Sequence, residues 1–127
     1  MRFHFSKCPI IVPVLLSGPS QNSLARLLLD TGAAVTIINS NVLKIIGVDP
    51  SASRQRVILT TADGHISRPL IEVPAVTFLG IRREMPLLAA HDLPSNAMVD
   101  GLLGTDLLAG LTVTIDFAAN ELEIRRS

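Results

Sequence analysis

The stretch Leu27-Leu28-Leu29-Asp30-Thr31-Gly32-Ala33 decides the interpretation of this chain. Its three consecutive leucines are typical of a buried strand, and Asp30 stands where that apolar run ends. A half-buried carboxylate at this point must accept hydrogen bonds or become neutral through a raised pKa. Thr31 and Gly32 suit the position, because a hydroxyl can bond across a close contact and glycine permits close approach of a backbone.

The tripeptide Asp-Thr-Gly would by itself also fit an ordinary turn at the end of a strand. The residues that follow it favour a buried site, since Val35, Ile37 and Ile38 resume the apolar pattern. We therefore expect the turn to be enclosed between two buried strands. The chain contains no second Asp-Thr-Gly, so the sequence indicates one half of an active site.

A second segment, Gly101-Leu102-Leu103-Gly104, lies near the other end of the chain. We interpret residues 98–104 as a strand. Asp106 then precedes Leu107-Leu108-Ala109-Gly110, a pattern that predicts a helix of one to two turns with Asp106 as its N-cap and Gly110 as its end. Asp106 is therefore expected to have a structural and not a catalytic role.

Together the two segments resemble the retroviral-type (retropepsin-like) aspartic proteases, in which two identical chains each contribute one Asp-Thr-Gly. The resemblance implies that Asp30, Thr31 and Gly32 are the catalytic residues, and that a homodimer completes the pair of carboxylates. The viral enzymes carry an acid and an arginine where this chain has Ala34 and Thr105. Their dimer contact and substrate preference are therefore not carried over, and the resemblance is closer to the bacterial and cellular members.

A β-hairpin is predicted between these segments, with strands at residues 56–61 and 66–73 joined by Ala62-Asp63-Gly64-His65. An Asp-Gly pair favours a tight connection, although an ordinary surface hairpin would have the same chemistry. Its place in the chain matches the flap that closes over the peptide in the family. The substrate-binding residues that the resemblance implies are Ala33, Ala34, Ala62, Asp63, Gly64, Leu102 and Leu103.

The rest of the pattern is β throughout, with strands expected at residues 10–16 and 24–29. Residues 111–124 alternate between apolar and polar side chains on both sides of Ala118-Ala119-Asn120, which predicts a hairpin. A short helix is expected between residues 39–41 and Gly47. We therefore interpret residues 1–127 as a single all-β, retropepsin-like domain: a closed β-barrel or sandwich with one or two short helices, homodimeric.

The composition argues against several other classes of protein. Eleven basic residues balance eleven acidic ones, and Trp and Tyr are absent, so nothing indicates a nucleic-acid partner. Residues 9–16 are too short to span a membrane, and we expect a soluble, cytoplasmic protein. Cys8 cannot form an intrachain disulfide and is expected to be a small buried apolar residue. His4 and His91 lack metal-ligand spacing, so neither a metal nor a cofactor is expected.

The function that these features imply is that of an aspartic endopeptidase acting on peptide or protein substrates. A water molecule activated between two Asp30 carboxylates of a homodimer would attack the peptide bond. A catalytically inactive, dimeric peptide-binding or scaffolding module with the same fold remains the alternative. A phosphate-handling domain is excluded by size and by the absence of a further glycine-rich loop.

Overall fold

The computed structural model describes residues 1–126, which form twelve β-strands and one short α-helix. This confirms the predicted all-β class with a small helical content. The strands in chain order are β1 (Arg2–His4), β2 (Ile11–Ser17), β3 (Asn22–Leu29), β4 (Ile37–Ile38), β5 (Arg56–Thr61), β6 (Gly64–Glu72), β7 (Ala75–Phe78), β8 (Ile81–Glu84), β9 (Leu87–Ala90), β10 (Gly101–Leu103), β11 (Leu111–Asp116) and β12 (Glu121–Arg126).

Two sheets share one hydrophobic core. Nine strands form a curled sheet in the order β5-β6-β9-β4-β10-β3-β2-β7-β8, and the other three follow the order β1-β12-β11. Leu122 and Ile124 of the small sheet are buried in the same cluster as Leu27 and Phe78 of the large one. The two sheets therefore pack as a single unit, in which burial of these side chains is the main stabilising contribution.

Strand β3 leads into the Asp-Thr-Gly turn and pairs with β2. Both strands largely follow the period of two that half-buried strands require. Val12, Val14 and Leu16 are fully buried, whereas Pro13 between them is exposed. In β3 only Ala25 and Leu27 are fully buried. Leu28 and Leu29 are therefore less buried than a continuous apolar run predicts. The expected strands at 10–16 and 24–29 are confirmed with small changes at their ends.

Helix α1 (Ser40–Ile45) confirms the helix predicted before Gly47, which has a φ of 96° just beyond its end. Its first amide is capped from a distant loop, because Ser40 N donates to Asp92 Oδ1 at 2.7 Å. That bond lowers the pKa of Asp92, since a backbone amide stabilises the charged carboxylate. The Asn39 side chain does not cap the helix, and its Oδ1 accepts from Leu93 N at 2.9 Å.

Three sequence-based expectations are wrong. Residues 105–110 form consecutive turns instead of a helix, because the Asp106 carboxylate bonds to a distant threonine and not only to its own segment. The strand expected at 98–104 is limited to β10, and Met98 before it has a φ of 61°. Cys8 is exposed, since it lies in the loop between β1 and β2.

The remaining local predictions are confirmed. β5 and β6 form the central hairpin, with Thr61 paired to Gly64 across a two-residue turn. β11 and β12 form the C-terminal hairpin around residues 117–120. The six-residue α1 is the longest helix among residues 1–126, and no helix in that range is long and apolar enough to cross a membrane.

Candidate active site

Asp30 directly follows β3 and begins a tight turn. Gly32 N donates to Asp30 Oδ1 at 2.9 Å, and Ala33 N donates to the Asp30 carbonyl oxygen at 3.1 Å. The half-buried carboxylate is therefore oriented by a backbone amide of its own turn. Within residues 1–126, Asp30 Oδ2 and the exposed Thr31 hydroxyl have no hydrogen-bond partner.

Strand β10 supports this turn from the side. It runs parallel to β3 and antiparallel to β4, and Asp30 N donates to the Leu103 carbonyl oxygen at 3.0 Å. The strand approaches β4 so closely that a Cβ at Gly101 would lie 1.9 Å from the Ile37 carbonyl oxygen. Only glycine fits this position, which is the physical reason for the first glycine of the Gly-Leu-Leu-Gly segment.

A buried threonine ties the two halves of the site together. Thr36 N and Thr36 Oγ1 donate to Asp106 Oδ2 and Oδ1 at 2.9 and 2.7 Å, and Thr36 Oγ1 accepts from Gly104 N at 3.0 Å. Thr36 has no accessible surface, so its polar atoms depend on these partners. This contact was not predicted from the sequence. Its signal there is a threonine within the otherwise apolar run of residues 35–38, which indicates a buried polar group that needs a partner.

Two hydrogen bonds to a backbone carbonyl oxygen are found at the position where the viral pattern would have an ion pair. Thr105 N and Thr105 Oγ1 both donate to the Ala33 carbonyl oxygen, at 2.8 and 3.3 Å. Ala34, beside it, is exposed and has no charge to be compensated. The segment after β10 is therefore fixed to the Asp-Thr-Gly turn without any charged partner.

The carboxylate of Asp30 faces an open cavity of about 380 Å³ between the turn and the β5–β6 hairpin. Most of its wall is apolar, and Asp30 is the only carboxylate in the lining. The lining residues, in chain order, are Asp30, Gly32, Ala33, Ala34, Val35, Ile37, Ile58, Leu59, Thr60, Thr61, His91, Leu93 and Leu102. No group of three or more His, Cys, Asp or Glu side chains among residues 1–126 is arranged to hold a metal ion.

A family model described as aspartyl protease matches residues 12–107, a range that includes the turn, the hairpin and β10. This chain belongs to the aspartyl protease family. No protein of curated function matches the chain in sequence.

Solved structures of aspartyl proteases and a related domain share the fold. A retropepsin-like aspartic protease from Rickettsia conorii superposes with a TM-score of 0.67 and 18% identity, over 98% of both chains. The retroviral protease-like domain of Ddi1 from Leishmania major gives 0.61 and 20%, over 96% of this chain and 92% of that one. The protease of simian foamy virus (mac) gives 0.51 and 13%, over 78% and 91%. These likenesses establish a retropepsin-like fold, as the two sequence segments predicted.

The aspartyl protease fold brings together some of the sequence-predicted site residues and separates others. Asp30, Gly32, Ala33, Ala34 and Leu102 line the cavity, and Thr31 lies in the same turn without lining it. Side chains alternate along β10, so Leu102 faces the cavity whereas Leu103 is fully buried in the core.

The β5–β6 hairpin contributes to the cavity through β5 and not through the turn that connects its strands. Ala62 and Asp63 form the two-residue turn, and neither they nor Gly64 line the cavity. The lining comes from the range 58–61, in which Ile58 is 63% exposed. A small apolar cluster of Leu59, Ile37 and Ala89 lies beneath it.

Two lining residues, His91 and Leu93, were not anticipated as site residues. They follow β9, which reaches the cavity because it pairs in parallel with β4 next to the Asp-Thr-Gly turn. Nothing in their sequence neighbourhood indicates this, since the pairing joins segments far apart in the chain.

Proposed function

We propose that this chain is one subunit of a homodimeric aspartic endopeptidase. One observation carries the proposal. The oriented carboxylate of Asp30 is the only acid in the lining of a largely apolar cavity that the β5–β6 hairpin borders. A peptide could lie in this space with its scissile bond over Asp30. Hydrolysis by this chemistry needs a second carboxylate, which a second copy of the chain would supply.

Two like charges held close cannot both ionise readily, so the paired Asp30 side chains share one proton, as is general for aspartic proteases. The ionised carboxylate accepts a proton from a bound water, whose oxygen attacks the carbonyl carbon of the peptide. The protonated partner donates its proton to the carbonyl oxygen. Collapse of the resulting tetrahedral diol then breaks the C–N bond while a proton passes to the leaving nitrogen.

Other features of the turn support an isologous contact at this site. The Thr31 hydroxyl is exposed and has no partner within residues 1–126, so it is available to bond to an equivalent turn. Asp30 Oδ2 is likewise available to share the proton. Closure of the β5–β6 hairpin would bring Ile58 and Thr60 over the bound peptide and exclude water.

The direct test compares the wild type with Asp30→Asn in digestion of denatured casein. The variant should retain the wild-type unfolding temperature within a few degrees and lose proteolysis by at least about a hundredfold, because the acid–base group is removed. Glu84→Gln is the matched control, since it removes an exposed carboxylate on β8 away from the cavity and should cleave normally. Equal cleavage by wild type and Asp30→Asn would refute the proposal.

A binding experiment separates the protease from the inactive peptide-binding module with this fold. That alternative requires that the wild type bind peptides without cleaving any of them. Isothermal titration with casein-derived peptides, followed by mass spectrometry of the recovered peptides, distinguishes the two outcomes.

A further inference from the structure

We propose that His91 recognises an acidic side chain of the substrate, so that the preferred peptide carries a Glu or Asp near the apolar residues that flank its scissile bond. The inference rests on the proposed function and specifies its substrate class.

His91 lies in the wall of the cavity that holds Asp30, and its side chain is half-buried. Its backbone N donates to the Ile38 carbonyl oxygen at 3.1 Å, which continues the pairing of β9 with β4. Its ring forms no hydrogen bond to any of residues 1–126. A half-buried imidazole with both nitrogens unengaged can bind a group that enters the cavity.

The segment that presents the ring is rigidly anchored at three successive residues. Besides the His91 backbone bond, Asp92 Oδ1 accepts from Ser40 N at 2.7 Å, and Leu93 N donates to Asn39 Oδ1 at 2.9 Å. All three bonds lead to the chain around the start of α1. The backbone that carries the ring is therefore fixed before a ligand arrives, which reduces the entropic cost of binding.

The charged groups nearest to His91 are a guanidinium, which favours an anionic partner, and a carboxylate, which opposes it. From β6, Arg68 Nε donates to the Ala90 carbonyl oxygen at 3.1 Å, so a guanidinium stands beside the residue that precedes His91. The adjacent carboxylate of Asp92 accepts from Ser40 N, and it also interacts electrostatically with both Arg68 and His91. Asp30 is the only acid that lines the cavity itself, and the proposed mechanism occupies it with the reacting peptide bond.

A carboxylate is a better partner for this site than a neutral amide. Hydrogen bonds to ionised groups are about twice as strong as those between neutral groups, and the imidazole can donate from either nitrogen. Besides Asp30 and His91, the polar side chains in the lining are Thr60 and Thr61, whose hydroxyls already bond to His65 Nδ1 and to the Gly64 carbonyl oxygen. A Glu side chain should therefore be bound in preference to the nearly isosteric Gln.

The test measures binding in the Asp30→Asn background, so that its result does not depend on cleavage. Short peptides with a central Leu-Leu pair carry one Glu at each flanking position in turn, and every peptide has a twin with Gln. Fluorescence anisotropy should show that one Glu position is bound about tenfold more tightly than its Gln twin. Adding His91→Gln should reduce this ratio to about one, whereas His91→Arg should retain it.

His4→Gln is the matched control, because His4 is an exposed histidine on β1 outside this cavity. It should leave the Glu-to-Gln ratio unchanged. The inference is overturned if no Glu peptide binds more tightly than its twin, or if the ratio survives His91→Gln. Failure of the proposed function looks different: the wild type would cleave none of the peptides while the His91-dependent ratio persists.

Discussion

Replacement of Asp106 by alanine should destabilise the fold because it removes the acceptor for a buried threonine. Asp106 accepts from Thr36 N, Thr36 Oγ1 and Leu107 N at 2.9, 2.7 and 2.9 Å. A buried polar group left unsatisfied costs about 1–3 kcal/mol, and Thr36 would lose two such bonds. Asp106 itself is exposed, so water can replace part of its role, and we expect a net loss of about 2–3 kcal/mol.

Urea and thermal unfolding followed by circular dichroism measure this loss. A loss of that size in a domain of 127 residues lowers the midpoint temperature by about 10 °C. Asp116→Ala is the matched control, since Asp116 Oδ1 also accepts two backbone amides but lies in an exposed turn. It should cost about 0.5 kcal/mol.

A double-mutant cycle with Thr36→Val identifies the contact responsible. The valine keeps the volume of the threonine, but its side chain cannot donate to Asp106 Oδ1 or accept from Gly104 N. The backbone N of residue 36 still donates to Asp106 Oδ2. Asp106→Ala should therefore cost about 1 kcal/mol less in the Thr36→Val background than in the wild type. Strictly additive losses, or a loss for Asp106→Ala no larger than for Asp116→Ala, would refute the reasoning.

Three further outcomes are expected. Gly101→Ala should reduce stability in urea by about 3 kcal/mol, because its methyl group would meet the Ile37 carbonyl oxygen and force β10 away from β4. When wild type is mixed with Asp30→Asn subunits and allowed to exchange, casein cleavage should fall with the square of the wild-type fraction; a linear fall would contradict a shared site. Asp92 has a lowered pKa in the folded state, so its contribution to stability is present above about pH 4 and is lost as the pH falls further. Asp92→Asn should therefore lose less stability than the wild type between pH 5 and pH 3, as measured by thermal unfolding.

The parts of the fold that depend on neighbouring residues could be predicted from the sequence. Alternation of apolar and polar residues located β11 and β12, and the Asp-Gly composition located the hairpin turn, because both signals act over a few positions.

The parts that failed depend on partners far away in the chain. Asp106 has the local signature of a helix N-cap, but its carboxylate bonds to Thr36, seventy positions earlier, and the segment forms turns instead. Asn39 has the same signature, yet Asp92 caps α1 from a loop 52 positions away. In both cases a tertiary hydrogen bond decides the structure, and local propensity cannot reveal it.

The candidate site was predictable at the Asp-Thr-Gly turn and not at its walls. Asp30 and Gly32 were found because they belong to a short motif, whereas His91 reaches the cavity only through the pairing of β9 with β4. Leu103 was expected in the cavity, although the alternation of side chains along a strand allows only one of the two adjacent leucines to face it.

The shortness of β4 has a mechanical consequence for the large sheet. This two-residue strand is the only one that connects β9 and the β5–β6 hairpin to β10 and the strands beyond it, among residues 1–126. Few backbone hydrogen bonds therefore cross this joint, among them those from Ala89 N to the Thr36 carbonyl oxygen and from His91 N to the Ile38 carbonyl oxygen. Bending stress applied to the hairpin concentrates at these bonds, and a peptide lying against Ile37 would stiffen the sheet at its narrowest point.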